Sequence, residues 1–395
     1  MASIIQSYNY TIDIYYVLEN KESDILVESI QSLTTHYDYE TKTMPILYLG
    51  LKIKTDLYNI MAKNADKGQI VLTMYKSIQK GGIVNRKTIY FREAFSYMMP
   101  SDLDYNKEME KASGEESNSY RECTIGLFSM RSINNNTKFF NTIIKNSDML
   151  SIVHNFTNHM NMLIEPFKDS DKLPICIVPP INTITNLLDY LNKFHCFYNS
   201  SYRYFRDFNK TYLLSTSGNP IQSSDDEYDT IIIRIMDPTE IITKELSFEI
   251  NRTQRTYVMY IDATFTNIHI DKLKDKRCNS IMVVDSMGNN KKQDLNIPRN
   301  DNTIDRMNIE RACGDNIDYI DTLVDDMQNT SILLNITKTE IDSSILTPNK
   351  EYLVQNFSGY RKYDGKYLLA YKREIIIQQD KQFISNTIFG LRKKM

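Results

Sequence analysis

The sequence predicts an α+β fold that is mainly β. Three observations carry this: β-branched and aromatic stretches fill the chain to about residue 140, hydrophobic spacing turns helical near residue 149, and the chain closes on further strand-like runs. Residues 10–18 (YTIDIYYVL) and 44–53 (MPILYLGLKI) read as strands. Residues 70–77 (IVLTMYKS) and 83–97 (IVNRKTIYFREAFSY) read as arms of a long hairpin around Gln79-Lys80-Gly81-Gly82. Between them Asp56 to Lys63 fits two helical turns with Leu57, Ile60 and Met61 on one face. This is the pattern of a β-barrel or sandwich with one short helix. Residues 101–119 are charged and poor in apolar side chains, an exposed loop; 120–130 (YRECTIGLFSM) returns as a strand, and Asn134-Asn135-Asn136 marks a boundary.

The period then changes. Met149, Ile152/Val153, Phe156, Met160 and Leu163/Ile164 recur at helical spacing until Pro166, predicting an amphipathic helix. A second helix follows Pro179-Pro180, with Asn182 as N-cap and Ile184, Leu187, Leu188, Leu191 and Phe194 as its apolar stripe. Beyond His195, residues 201–208 and 211–215 flank Asn209-Lys210 as a hairpin, and 217–229 form an acidic loop. Strands are expected at 230–236, 256–262 and 281–284. A helix begins at Asp315, with Ile317, Ile320, Leu323/Val324 and Met327 in register and Asp315, Asp318 and Asp321 where the helix dipole favours negative charge. The chain ends on strand-like runs at 331–337, 351–356, 366–377 and 382–391, the last two a hairpin around Gln379-Asp380.

Composition bounds the function. A chain of 395 residues with 41% hydrophobic and 25% charged residues can bury the cores of two or three domains. Lys+Arg 47 against Asp+Glu 50 leaves a net charge of -3, which supplies no general field for nucleic acid or anionic lipid. The longest apolar runs, residues 44–51 and 175–181, fall short of the roughly 20 residues that span a bilayer. Neither a transmembrane helix nor a signal peptide is expected, since MASIIQSYNYTIDIYY lacks a basic start and a small-residue cleavage site. Five scattered cysteines, Cys123, Cys176, Cys196, Cys278 and Cys313, fit reduced thiols in a reducing compartment. Absence of Trp beside 27 Tyr and abundant Ile, Asn and Lys suggests AT-rich, often viral, coding; the Asn-x-Ser/Thr triplets at Asn135, Asn155, Asn199, Asn251 and Asn335 then arise by chance.

No motif anchors a catalytic, cofactor or metal site, and none is assigned. His154 and His159 lie about 140° apart around a helix and cannot share a metal from there. His195-Cys196 is the one adjacent Cys/His pair, but neighbouring residues diverge on a helix. Asp225-Asp226-Glu227 sits in a polar loop without a calcium-binding frame. Gly81-Gly82, Gly359 and Gly365 are turn glycines outside any nucleotide-binding motif, and G-x-S-x-G and H-E-x-x-H are missing. Tyr202-Arg203-Tyr204-Phe205-Arg206 has the composition of a stacking surface for single-stranded nucleic acid, yet in a strand Tyr202, Tyr204 and Arg206 face one way and Arg203 and Phe205 the other, as in a half-buried hairpin. Arg392-Lys393-Lys394 reads as a solvated tail, with contact to a phosphate or to an acidic partner surface as the alternative.

The order of segments resembles the baseplate hub proteins of tailed bacteriophages: a β-rich N-terminal part, PPINTITNLLDYLNKF, SYRYFRDFNKTYLLS, a helix over 315–327, then SILLNITKTEIDSSILTPNKEYLVQN, KYLLAYKREIII and FISNTIFGL. The Leu346-Thr347-Pro348-Asn349 corner is similar to the C-terminal half of that hub's second barrel. The resemblance implies two tail-tube-like β-barrel domains, a helical connector and an inserted β-rich domain, at 1–140, 141–199, 200–229 with 304–395, and 230–303. It implies a homotrimer whose six barrels form a ring, adapting a hexameric tail tube to a threefold central spike, with tube, spike and other baseplate subunits as partners and the virion as its location after assembly in the host cytoplasm. No enzymatic activity, membrane contact or specific nucleic-acid partner goes with that role. The other readings are a viral structural or host-attachment protein, a nucleic-acid-associated viral protein, and an enzyme whose site is assembled only in space. Abundant Tyr and Phe suit the subunit interfaces of a ring.

Overall fold

Alternation drives the fold. In the computed structural model Tyr10, Ile12, Ile14 and Tyr16 point inward from β1 (Gln6–Leu18), and Leu47, Leu49, Leu51 and Ile53 do so from β4 (Ile46–Lys54). The structure describes residues 6–19, 21–24, 27–40, 45–80, 83–99, 120–157, 162–168, 171–198, 200–207, 210–216, 221, 228–237, 248–270, 279–295, 307–312, 316–328, 332–339, 341, 343–355, 361–379 and 382–394. The loop predicted at 101–119, most of the acidic loop at 217–229, and the turns at Gly81-Gly82 and Asn209 lie outside them.

With β1 and β4, the N-terminal part contains β2 (Lys21–Asp24), β3 (Val27–Asp38), α1 (Thr55–Lys63), β5 (Gln69–Lys80), β6 (Ile83–Met98), β7 (Tyr120–Ser129) and α2 (Met130–Asn136). Its strands form one antiparallel array, in the order β2-β1-β5-β6-β7-β4-β3, and β5–β6 is the expected long hairpin. The face of α1 differs from expectation: Tyr58 and Met61 are buried while Ile60 is exposed.

Next come β8 (Phe139–Ser147), α3 (Met149–Thr157), β9 (Met162–Ile164), β10 (Leu173–Asn182), α4 (Ile184–His195), β11 (Tyr202–Asp207) and β12 (Lys210–Ser215). The helix expected over 149–164 ends at Thr157, because Met162–Ile164 instead pairs in parallel with Thr211–Leu213, a distant partner that local spacing does not reveal. Asn182 is held in the β10 ladder opposite Phe139, so the cap of α4 falls to Thr183, whose hydroxyl accepts from Asn186 N at 3.3 Å. Ile152, Val153, Leu187, Leu188 and Leu191 join Cys176, Val178 and Leu213 in a core of their own.

The C-terminal part holds β13 (Thr230–Met236), β14 (Phe248–Asn251), β15 (Thr256–Asp262), β16 (Thr266–Ile270), β17 (Ser280–Val284), β18 (Asn290–Asp294), β19 (Met307–Arg311), α5 (Tyr319–Gln328), β20 (Ile332–Thr339), β21 (Glu351–Gln355), β22 (Gly365–Gln379) and β23 (Gln382–Lys393). Strands β13 and β15, which sequence placed in the 230–303 insertion, hydrogen-bond into the large sheet, since β13 pairs in parallel with both β15 and β21. Ile231, Ile233 and Ile235 alternate onto one face of β13 and are fully buried in the core of the large sheet, which a strand flanked by neighbours on both sides provides. A small sheet, β18-β17-β19, stands apart from the large one and packs Ile281 and Val283 against Ile320 and Val324 of α5. Hairpin β11–β12 likewise belongs to a separate sheet with β9.

One hairpin unites the two halves. Along one edge of β22, Gly365–Tyr367 pairs with β21 and Tyr371–Ile377 with β3, while its other edge pairs throughout with β23, which continues to β20 and β16. Strand β23 also approaches β1. Both halves thus belong to one curled sheet joined through these two strands, over a single continuous core from Tyr10 to Leu391. At the bulge in β22, Gly390 faces the ring of Tyr371 so closely that a Cβ there would collide with it.

Candidate assembly surface

The residues examined for chemistry are brought to structural positions. His195 meets Cys176, not its neighbour Cys196, with Nε2 and Sγ 4.0 Å apart. Burial pushes both thiols up and the imidazole down, which disfavours a thiolate–imidazolium pair. Cys196 caps α4 in a left-handed conformation at φ 42, and its sulfur accepts from Asn316 Nδ2 at 3.0 Å, which ties the loop before α5 to the end of α4. His154 is half-buried on α3; His159 and Asp225-Asp226-Glu227 lie outside the described residues. Among the described residues no three His, Cys, Asp or Glu side chains gather as a metal site, and no helix is long and apolar enough to cross a membrane.

The aromatic hairpin β11–β12 is a mating surface inside the molecule. Tyr202 and Tyr204 pack on the connector core, whereas Phe205 enters the core of the large sheet against Tyr39, ring centroids 4.8 Å apart. The expected division of faces is present. Tyr202 OH donates to Asp189 Oδ1 at 2.6 Å, and burial, with that carboxylate, holds its phenol well above the ordinary range. Buried rings cannot stack on bases, so the geometry removes this stretch as a nucleic-acid platform.

Charges hidden from the sequence line the same junction. Arg206 Nη2 lies 3.2 Å from Glu93 Oε1 on β6, which also accepts from Ser129 Oγ. Arg203 donates to the carbonyls of Leu369 and Pro348 at 3.4 Å. Asp207 Oδ2 accepts from Tyr39 OH at 3.2 Å and sits 3.4 Å from Lys372 Nζ, which reaches the carbonyls of Ser343 and Leu346 and lies 5.3 Å from the centre of the Tyr37 ring. Lys372 is 1% exposed. These contacts clamp hairpin β11–β12 and the 343–346 turn onto β3, β6 and β22.

A model of the bacteriophage PBS1 gene 109 protein family matches residues 1–394. The chain belongs to that family. No curated protein matches this family member in sequence. Among solved structures it is similar to the tail protein from Neisseria meningitidis MC58, with TM-score 0.53, 11% identity and 97% of each chain covered. The 43 kDa tail protein of prophage MuSo2 from Shewanella oneidensis gives TM-score 0.53 at 9% identity, again over 97% of each chain. A chain of the lidless PdpA-VgrG complex gives TM-score 0.51 at 13% identity, over 98% of this chain and 65% of that one. The shared fold is therefore that of phage tail proteins, and the mainly β reading of the sequence stands.

What the family member offers on its surface is apolar sheet. On the outer face of β8–β10, Phe139 and Ile143 are 63% and 61% exposed and Ile175 and Ile177 are 56% and 58% exposed, with Ile143 directly across from Ile177. Their neighbours Phe140, Cys176 and Val178 point into the connector core. Smaller exposed groups occur at Tyr48 and Met98, which flank Gly126 on the outer side of the N-terminal sheet, and at Met307 and Ile309 on β19. The sequence reading recorded the apolar run at 175–181 without making it a strand; its alternation was broken by Pro179-Pro180, where the ladder to β8 shifts register.

Proposed function

We propose that the chain is a structural subunit of a phage tail baseplate, a homotrimeric hub that adapts a hexameric tail tube to a threefold central spike. The supporting observation is how the large curled sheet is joined: the hairpin β22–β23 links the N-terminal strands, through β3, to the C-terminal strands, through β21 and β20, and with one tube-like unit on each side of it three chains would set six units in a ring. Membership of a phage protein family and the tail-protein fold agree with this. The first tube-like barrel is assigned to 1–140 and the connector to 141–199; the second barrel, expected over 200–229 with 304–395, gains β13 to β16, leaves hairpin β11–β12 to the sheet of β9 and β19 to the small sheet, and the insertion within 230–303 narrows accordingly. Tube, spike and other baseplate subunits are the proposed partners, the role is non-catalytic, and assembly takes place in the host cytoplasm before incorporation in the virion.

The test is solution mass by light scattering across a concentration series, with and without the spike protein, backed by electron-microscope class averages. Trimers with sixfold-looking rings are expected. A monomer under every condition overturns the reading.

A further inference from the structure

We propose that β8 is a docking edge, taking up by strand addition a strand of another protein that carries apolar side chains at alternate positions and acidic side chains at its ends. The two edges of the β8–β10 sheet are treated differently. On β10, Pro174, Pro179 and Pro180 have no N–H to offer, and Tyr190 OH from α4 donates to the carbonyl of Ile177 at 2.8 Å. That edge is closed. The strand β8, FFNTIIKNS, contains no proline, and among the described residues β10 is the one strand that pairs with it. Folded proteins blunt their edge strands, and a two-stranded sheet with exposed apolar side chains gains from a third strand.

Side chains define the occupant. An added strand would lay its outward residues beside Phe139 and Ile143, extending the apolar face that these make with Ile175 and Ile177. Charge at the rim decides between partners. Asp148, whose carboxyl is lowered by the bonds it accepts from Ser151, and Lys172 bring one charge of each sign to the end of the sheet where Ser147 pairs with Leu173. Lys138 just before β8 and Lys145 near its end remain against Asp171. A second copy of β8 would bring further lysines to that rim; an acid-ended strand complements it.

The purified full-length chain is titrated with a fluorescein-labelled peptide, Glu-Val-Thr-Val-Thr-Val-Thr-Val-Glu, with a twin bearing Lys at both ends, and with a twin N-methylated at alternate amides. The acid-ended peptide is expected to bind about tenfold more tightly than the Lys-ended one, a difference of about 1.4 kcal/mol. N-methylation, or Ile143→Lys in the protein, is expected to abolish binding, and Lys145→Glu to erase the preference for acidic ends. Ile143 is exposed, so Ile143→Lys should leave the melting curve in place. Equal affinity for the two ends, binding that survives N-methylation, or no binding up to about a millimolar overturns the proposal. So does self-association that Ile143→Lys abolishes while the peptide has no effect, because the occupant is then a second copy.

Discussion

Lys372 shows how individual residues hold this molecule together. Its ammonium is buried beside Asp207 and satisfied by two carbonyls, so Lys372→Met strands a carboxylate in the core and should cost about 3–5 kcal/mol in urea unfolding. Adding Asp207→Leu should recover most of that loss, since removing both charges leaves no stranded partner. His195 sets a pH dependence. Burial lowers its pKa in the folded chain, so the unfolded chain takes up the proton first as pH falls through the ordinary histidine value of about 6.5. Stability is therefore full above that value and declines below it, down to the depressed folded pKa; His195→Gln should flatten this part of a melting-temperature profile. The alternation of Tyr202 to Arg206 was readable locally. Their partners Glu93, Tyr39 and Lys372 were not, because they come from strands far away in the chain.

At the level of elements, α4 is the clearest. Leu187 and Leu191 are 1% and 0% exposed, as the helical spacing required, and replacing either by Ala should cost about 2–5 kcal/mol by calorimetry or urea titration. A near-silent variant would contradict the packing of this face on the connector core. Strong periodicity made α4, the β5–β6 hairpin and the terminal hairpin legible in advance. Elements defined by remote pairing were not: β9 looked like a continuation of α3, and β13 and β15 looked like part of an insertion, because a parallel ladder leaves no trace in neighbouring residues. The apolar face of β8–β10 was missed for a related reason. Its exposure depends on what covers the sheet, and composition is blind to that.

For the whole molecule, β22–β23 is the element that everything else presupposes. Deleting residues 381–395 removes β23, which pairs with both β22 and β20, and should abolish folding, read as loss of cooperative melting and of soluble material; a soluble, normally melting truncation would refute the shared-hairpin account. The mainly β fold was visible in the sequence, but the fusion of its halves was not, since the terminal hairpin looked like the property of one barrel alone. That fusion also orders events during synthesis. Strands β1 to β7 leave the ribosome hundreds of residues before β22 and β23, so each nascent chain waits with the edge of β3 open until residues 365–393 emerge. Joining the N-terminal and C-terminal strands in one late step means that a chain stopped before β23 lacks the link between them, and it makes the growing chain a natural client for chaperones that shield β edges.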